Sequence, residues 1–505
     1  MRSFTALTRI LLVLLSLCLV LSAFAACATE EEDDEVLETE ATDESGSDDS
    51  LDDDLYDENG YLKDQIPDED LNYENKELKI LCWASVANEF GCDEATGSVI
   101  NNALVTRDIN VEDRLGVSLN YLMDQIAPGS ATVTGHYVDL VRLATQSGDL
   151  YDLMALYGRT AAILSSNGYL QNILNIDYSY LNFENPWWTP TLLDELVVGN
   201  SLYMISGDIT PSIYEQPYTM FYNVDMVKDY GLKDPYDCVK DNTWTMETFR
   251  QTIKNITVDQ SGTQMYGLVS SYYTVPSLMH GCGVRIMDMD ENQIPRLSEG
   301  LFSEKTIDIV DDLQAWNKED NFLVDSTSAN ARVHFTSGNA MFLIDRVLEC
   351  FNFVENCNFS YSVVPNPKLT SEQDRYYTTL DTQLTFFCLM RGLSQDELTI
   401  RSAVLECMAS EGYRLTSPAV VDSCIKSRYA QTEEMSEMLG LVVDSVYYDF
   451  GRIYSASDDS YICDRVGKVI QSSTETWSGY GQAMKTSLET RFQKLVDKFI
   501  EMEKQ

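Results

Sequence analysis

Side chains able to do covalent or metal chemistry are plentiful in this 505-residue chain, yet none stands in the spacing such chemistry needs. The three histidines, His136, His280 and His334, are scattered along the chain, so no zinc site is expected. Ten of the twelve cysteines follow Cys27, without a C-x-x-C pair or a regular framework. Spacing alone does not pair them. Mostly buried free thiols are expected, even for the neighbours Cys350 and Cys357. No G-x-S-x-G elbow surrounds any serine. Glycoside hydrolysis needs a matched pair of carboxylates. Acids abound here, but none lies in a recognisable catalytic motif, and most are expected on solvated faces. Asp259, Ser261 and Thr263 alternate like the start of a calcium loop, but the acidic residue that closes such a loop is missing. A plain turn is the expectation. No metal and no cofactor are called for. The remaining chemistry is non-covalent: aromatic and charged side chains gathered where strands end.

Residues 76–83, KELKILCW, have a polar start and an apolar finish and predict a strand. Helical spacing of apolar residues follows over 97–117, then a second strand over 117–123. A second helix over 136–149 leads to a third strand, YDLMALY, at 151–157. Strands alternating with helices predict a parallel α/β sheet. In open sheets of this kind ligands sit beyond the carboxyl ends of the strands. Trp83 lies just past the first strand; Tyr157, Gly158 and Arg159 lie just past the third. The two tryptophans of NPWWTP (185–190) are read as a hydrophobic clamp between surface helices rather than a stacking platform. Further along, DTQLTFFCLM predicts a central strand, and the chain from 394 onward reads helical. About 430 residues exceed the ~250–300 that one core usually supports, so two lobes are expected.

The amino terminus has its own character. Arg2 and Arg9 precede an apolar run, LLVLLSLCLVLSAFAA, which stops at Cys27. This is the layout of a secretory signal peptide. Plain secretion after Ala23-Phe24-Ala25, and a single uncleaved helix, are the other readings; all three place the body outside the cytoplasm. Residues 30–70 hold 21 Asp and Glu against Lys63 alone, a charge of −20. With +2 from the leader arginines, −28 of the total −46 falls on the body. So acidic a surface argues against nucleic acid, whose phosphates demand basic partners. The acidic stretch is too charged to bury a core, and a disordered spacer over 27–75 is expected.

Two resemblances sharpen these expectations. Ala25 and Ala26 before Cys27 resemble the lipobox of bacterial lipoproteins, with Phe24 where leucine is usual. That implies a lipidated Cys27 and a membrane anchor. The body resembles the extracellular solute-binding proteins that feed bacterial ABC importers, above all the sugar-binding branch that includes maltose-binding protein. Four passages carry it in order: YTMFYNVDMVKDYGL, TWTMETF, FTSGNAMFLID and YSVVPNPK. The resemblance implies a two-lobed periplasmic-binding-protein-like (type II) α/β fold with a hinge and an interlobe cleft. Lobe 1 would hold 76–209 and 381–429, and lobe 2 would hold 212–378 and 430–505.

The same resemblance implies a role and a set of residues. The role is a monomeric receptor, not an enzyme, that captures a small carbohydrate at the outer face of the membrane. Its partners would be ABC permease subunits. A secreted glycoside hydrolase and a tethered sensor are the alternatives. Trp83, Tyr157 and Arg159 match ligand loops of lobe 1. Asp208, Tyr214 and Gln216 match the hinge crossover. Tyr272 and Tyr273 match an aromatic loop of lobe 2. Asp345 and Arg346 follow the "A-M" strand, and Tyr454 lies in a late segment able to close the cleft. Val347 and Leu348 stand where that branch carries a stacking tryptophan, which argues against maltodextrin itself. Aromatic rings cover the apolar faces of a sugar, and polar groups meet its rim, since an unpaired buried hydroxyl costs about 1–3 kcal/mol.

Overall fold

The computed structural model describes residues 55–67, 72–83, 89–90, 98–124, 130–256, 264–319, 321–457 and 461–504. The leader, Cys27 with its expected lipid, and the stretch Asp259–Thr263 expected to be a turn lie outside the described residues. Two sheets organise the rest. The first has the order β11-β3-β1-β2, built from β1 (Lys76–Trp83), β2 (Val117–Asp124), β3 (Leu153–Tyr157) and β11 (Thr385–Cys388). The second has the order β10-β4-β9-β5-β8. Its strands are β4 (Tyr218–Asn223), β5 (Tyr266–Ser271), β8 (Phe322–Asp325), β9 (Ala340–Arg346) and β10 (Tyr361–Val364). A small hairpin pairs β6 (Met287–Met289) with β7 (Pro295–Leu297).

The expected parallel pairing holds for β1 with β2 and with β3. Both sheets also carry antiparallel pairs, β11 on β3 in one and β4 on β9 and β10 in the other. Strand β11 is an edge strand of its sheet rather than a central one. It reads as central because all four of its residues are buried. Phe387 exchanges two backbone hydrogen bonds with Ile205, which covers the edge.

Local signals place the helices as expected. Asn223 caps the helix Val224–Asp229 by accepting from the Met226 N–H at 2.9 Å. Thr245 and Ser303 cap the helices that follow them. The eight cysteines among the described residues are all free thiols and seven are buried. Two segments join the sheets and run side by side. Pro217 bridges Leu380, the Tyr218 N–H donates to the Thr379 carbonyl, and the Asp381 N–H donates to the Gln216 carbonyl. These short peptide contacts form the floor between the sheets.

Three sequence expectations are corrected. The spacer does not run unstructured to residue 75, because residues 55–67 fold back onto the body: Ile66 is buried in the core and the Asp64 side chain is fully covered. Composition averaged over the acidic run hides the Tyr56, Tyr61, Leu62 and Ile66 at its end. The last stretch, 430–505, does not keep to one side. Helix Ile462–Gln471 packs on helices of the second sheet, whereas helix Phe450–Tyr454 packs on Gly158–Ser166, beside the first. Tyr454 itself is 1% exposed. Its ring stacks on Phe450 at 4.3 Å and meets Phe499 edge-on, so it is a core residue and not a cleft residue.

The tryptophan pair of NPWWTP, expected as a hydrophobic clamp between surface helices, is held inside the protein by polar as well as apolar contacts. Trp187 and Trp188 are buried, and both indole N–H groups donate to the Glu406 carboxylate, at 3.2 and 2.8 Å. The Asn185 amide adds a third bond at 2.7 Å.

Candidate functional site

The carboxyl ends of β1 and β3 bring Trp83 and Tyr157 together. Their rings stack at 5.0 Å with 22° between planes. The strand crossing back from the second sheet fixes both. Trp83 Nε1 donates to Thr385 Oγ1 at 3.1 Å, and Tyr157 shares a hydroxyl–hydroxyl bond with Thr382 at 3.0 Å. Arg159, at the start of the next helix, donates from Nε to the same Thr382 hydroxyl at 3.2 Å. Its NH2 lies 3.3 Å from Asp464, and its guanidinium covers the Tyr461 ring at 5.4 Å. Burial works against the Arg159 charge, but Tyr157, Asp464 and Asp381 raise its pKa.

The facing wall comes from the crossover and the second sheet. Arg346, at the end of β9, donates to Gln216 at 3.4 Å and pairs with Glu349 at 2.9 Å. Tyr218 donates to Asp381 at 2.9 Å, and the Arg452 guanidinium covers the Tyr218 ring. Burial would raise the Asp381 pKa, but Arg346, Arg452 and the Tyr218 hydroxyl hold it below the ordinary carboxylate value. Tyr272 and Tyr273 follow β5 with ring centroids 3.8 Å apart, and Tyr273 is exposed. Lys468 covers Tyr272. Gly467, one residue earlier, lies so close that a Cβ there would meet the Tyr272 carbonyl at 1.8 Å.

Other expected site residues are turned to internal tasks. Asp208 accepts from the Tyr214 hydroxyl and from Ser417 Oγ, the latter at 2.7 Å. Burial lifts its pKa to about 6 against those two bonds. Asp345 is 1% exposed, accepts from the Arg346 backbone N–H at 2.9 Å and pairs with Arg332 at 3.2 Å. Its carboxylate serves lobe-internal charge balance, which corrects its placement at the cleft. The neighbouring Arg346 belongs to the same ion network and also reaches Gln216 of the crossover.

Two carboxylates escaped notice in the sequence. Glu89 is 4% exposed and accepts from the Thr210 hydroxyl. Burial pushes its pKa to about 8, helped by the charge of Glu215. Glu215 is itself pushed to about 7 by burial, with Arg346 pulling the other way. Glu89 lies in a loop with no regular pattern. Glu215 sits between Tyr214 and Gln216, at the end of the short helix Ser212–Glu215. Asp381, Thr382 and Thr385 were missed for a different reason: only the pairing of the two crossing segments sets them beside Trp83 and Tyr157.

Behind these groups is a cavity of about 30 Å³, lined by Gly158, Asp381, Thr382, Tyr448, Asp449 and Arg452 among others. That is room for a water or two, at roughly 10–15 Å³ each. A sugar does not fit this cavity as it stands.

Residues 131–345 match the family described as bacterial extracellular solute-binding protein. Solved structures with the same fold include the GacH receptor of Streptomyces glaucescens, studied unliganded and with acarbose. It is 13% identical, with 83% of this chain and 99% of that one covered and a TM-score of 0.55. Maltose-binding MalE from Listeria monocytogenes, in complex with maltose, is 12% identical over 83% and 98%, with a TM-score of 0.55. An ABC substrate-binding protein of the same organism, Lmo0181, in complex with cycloalternan, is 12% identical over 85% and 99%, with a TM-score of 0.50. No curated protein matches the chain. At such identities the structural likeness is one of fold: mixed α/β, of the two-lobed solute-binding kind.

Proposed function

We propose that this chain, whose residues 131–345 match the family described as bacterial extracellular solute-binding protein, captures a small carbohydrate outside the cell and delivers it to an ABC importer. One observation carries the reading. The stacked Trp83 and Tyr157 rings lie at the carboxyl ends of one sheet, ringed by the hydroxyls of Thr382 and Thr385 and the charges of Arg159 and Asp381. Trp83 and Tyr157 are 3% and 4% exposed as they stand; once the two sides part, an aromatic face suits the C–H face of a sugar, and hydroxyl, carboxylate and guanidinium groups suit its rim. The solved relatives crystallised with acarbose, maltose and cycloalternan support the same class. In this reading the protein is a monomer and a receptor rather than an enzyme. Cys27 carries the lipid that holds it at the outer face of the membrane. Trp83, Tyr157, Arg159, Gln216, Tyr272, Tyr273 and Arg346 meet the ligand, and the lobes close over it.

A thermal-shift panel of neutral oligosaccharides tests this. A ligand at a hundred times its Kd stabilises by about 2.7 kcal/mol, a readily measured rise in melting temperature. Arg159→Ala is expected to abolish the rise. If no carbohydrate moves the midpoint, the reading fails.

A further inference from the structure

Residues 55–66 form a small, self-contained structure on the surface of the body. Tyr56 bridges Leu62, and the Lys63 N–H donates to the Leu55 carbonyl at 2.9 Å. Asp57 ties the turn by accepting from the N–H groups of Asn59 and Tyr61, both at 2.9 Å. This hairpin is bound at three points. The Tyr61 ring meets Tyr413 edge-on at 5.4 Å. The Asp64 N–H donates to Ser410 Oγ at 3.1 Å, and its carboxylate pairs with Arg114. Arg114 also donates to the Ile66 carbonyl at 3.0 Å, and Ile66 is buried.

All three attachment points lie on one side of the molecule. Arg114 ends the helix Val99–Leu115, which packs on β2 of the first sheet and on the helix Gln395–Glu411. Ser410 is in that second helix, and Tyr413 is in the π-helical turn Gly412–Thr416 that continues it. The same turn backs onto the crossover. Gly412 approaches so closely that a Cβ would stand 2.0 Å from the Asp208 carbonyl oxygen, and Ser417 bonds the Asp208 carboxylate.

We infer that residues 55–66 are a clasp that joins the N-terminal chain to the first lobe alone and braces the π-helical turn against the crossover at Asp208. A restraint applied upstream of Leu55 is then delivered to the first lobe, and the second is left free to swing. The surroundings of the clasp explain why it survives in so acidic a stretch. Arg114 covers the one carboxylate that is buried, and the remaining acids of residues 55–66 stay on the outside.

Hydrogen exchange on the full chain, without ligand, tests this independently of the carbohydrate reading. The amides of Tyr61, Lys63 and Asp64 are expected to exchange about a hundredfold or more slower than coil. Exchange at coil rates in the unmodified protein overturns the clasp outright. The double substitution Tyr61→Ala, Asp64→Asn is expected to release those amides and to speed exchange across residues 410–417, with β5 unchanged. Release of 55–66 with 410–417 unaffected refutes the brace. Faster exchange everywhere, β5 included, refutes it too, because the segment is then only one more part of the core. Cleavage by a trace of protease is expected before Leu55 and not within 55–66.

Discussion

Glu406 is a carboxylate whose task is set by its neighbours. Two indole N–H groups, the Asn185 amide and the Asn182 backbone N–H all donate to it, which favours the ionised form. Burial outweighs them and lifts its pKa from 4.5 to about 7. A carboxyl raised on folding keeps a proton that the unfolded chain has already released. Its contribution to stability is therefore greatest at low pH and declines as pH climbs from about 4.5 to about 7. Glu406→Gln removes that slope, at a cost of about 1 kcal/mol for a less suitable acceptor. Urea midpoints measured from pH 4.5 to 8 are expected to vary less for the variant. Glu89, Glu195 and Glu215 keep part of the slope, since each is raised too. At this scale the sequence is an uneven guide. The rule that ligands sit past strand ends named Trp83, Tyr157 and Arg159, and the fold brings these three together. It had no means of finding Glu89, and the family resemblance placed Tyr454 and Asp345 by their neighbours in sequence when their neighbours in space are a core and an ion pair.

Among the elements, the helix that begins at Ser394 has the most demanding geometry. It opens with a capping box between Ser394 and Glu397 and runs to Glu411 as an ordinary helix. At Gly412 it widens into a π-helical turn where it meets the first crossover. Such turns occur where an extra residue is accommodated, often at functional sites. The close contact with the Asp208 carbonyl leaves no room for a methyl group. Gly412→Ala is expected to push the helix from the crossover and cost about 1–3 kcal/mol, the usual range for overpacking. A drop in the denaturation midpoint measures it; an unchanged midpoint shows that the contact yields easily. That the chain turns helical near residue 394 was legible in the sequence. The widening was not, because it answers a contact with a segment some 200 residues earlier in the chain.

For the whole molecule, a link between the two sides is Arg159 with Asp464. Arg159 follows β3 of the first sheet, and Asp464 stands on the helix that packs against Pro276–Gly281 and Glu304–Trp316 beside the second. Both side chains are largely covered, at 13% and 16% exposure, so solvent screens the pair only in part. The closed shape and the 30 Å³ cavity accord with a latch that must open before a ligand enters. Asp464→Asn keeps the size of the side chain and removes the charge. The ligand-free protein is then expected to open, seen as a larger radius of gyration in solution scattering. Ligand affinity is expected to weaken by about 1–2 kcal/mol, roughly five- to thirtyfold in Kd. An unchanged radius of gyration and Kd would remove the latch from the mechanism.

The sequence by itself determined the class of the molecule. Strands alternating with helices, capping residues and a chain too long for one core specify an α/β protein of two sheets, because these signals act over a few residues. The acidic balance and the leader likewise need no fold to be read. Tertiary structure alone decided which side chains share the cleft. Thr382 and Thr385 reach Trp83 and Tyr157 only because the chain returns more than 200 residues later and lays β11 against β3. Asp208 and Asp345 were spent on internal partners, and residues 55–66 were folded into place, by contacts of the same long range. Local signals cannot carry such pairings, since their free energy comes from burial that exists only once both partners are in position.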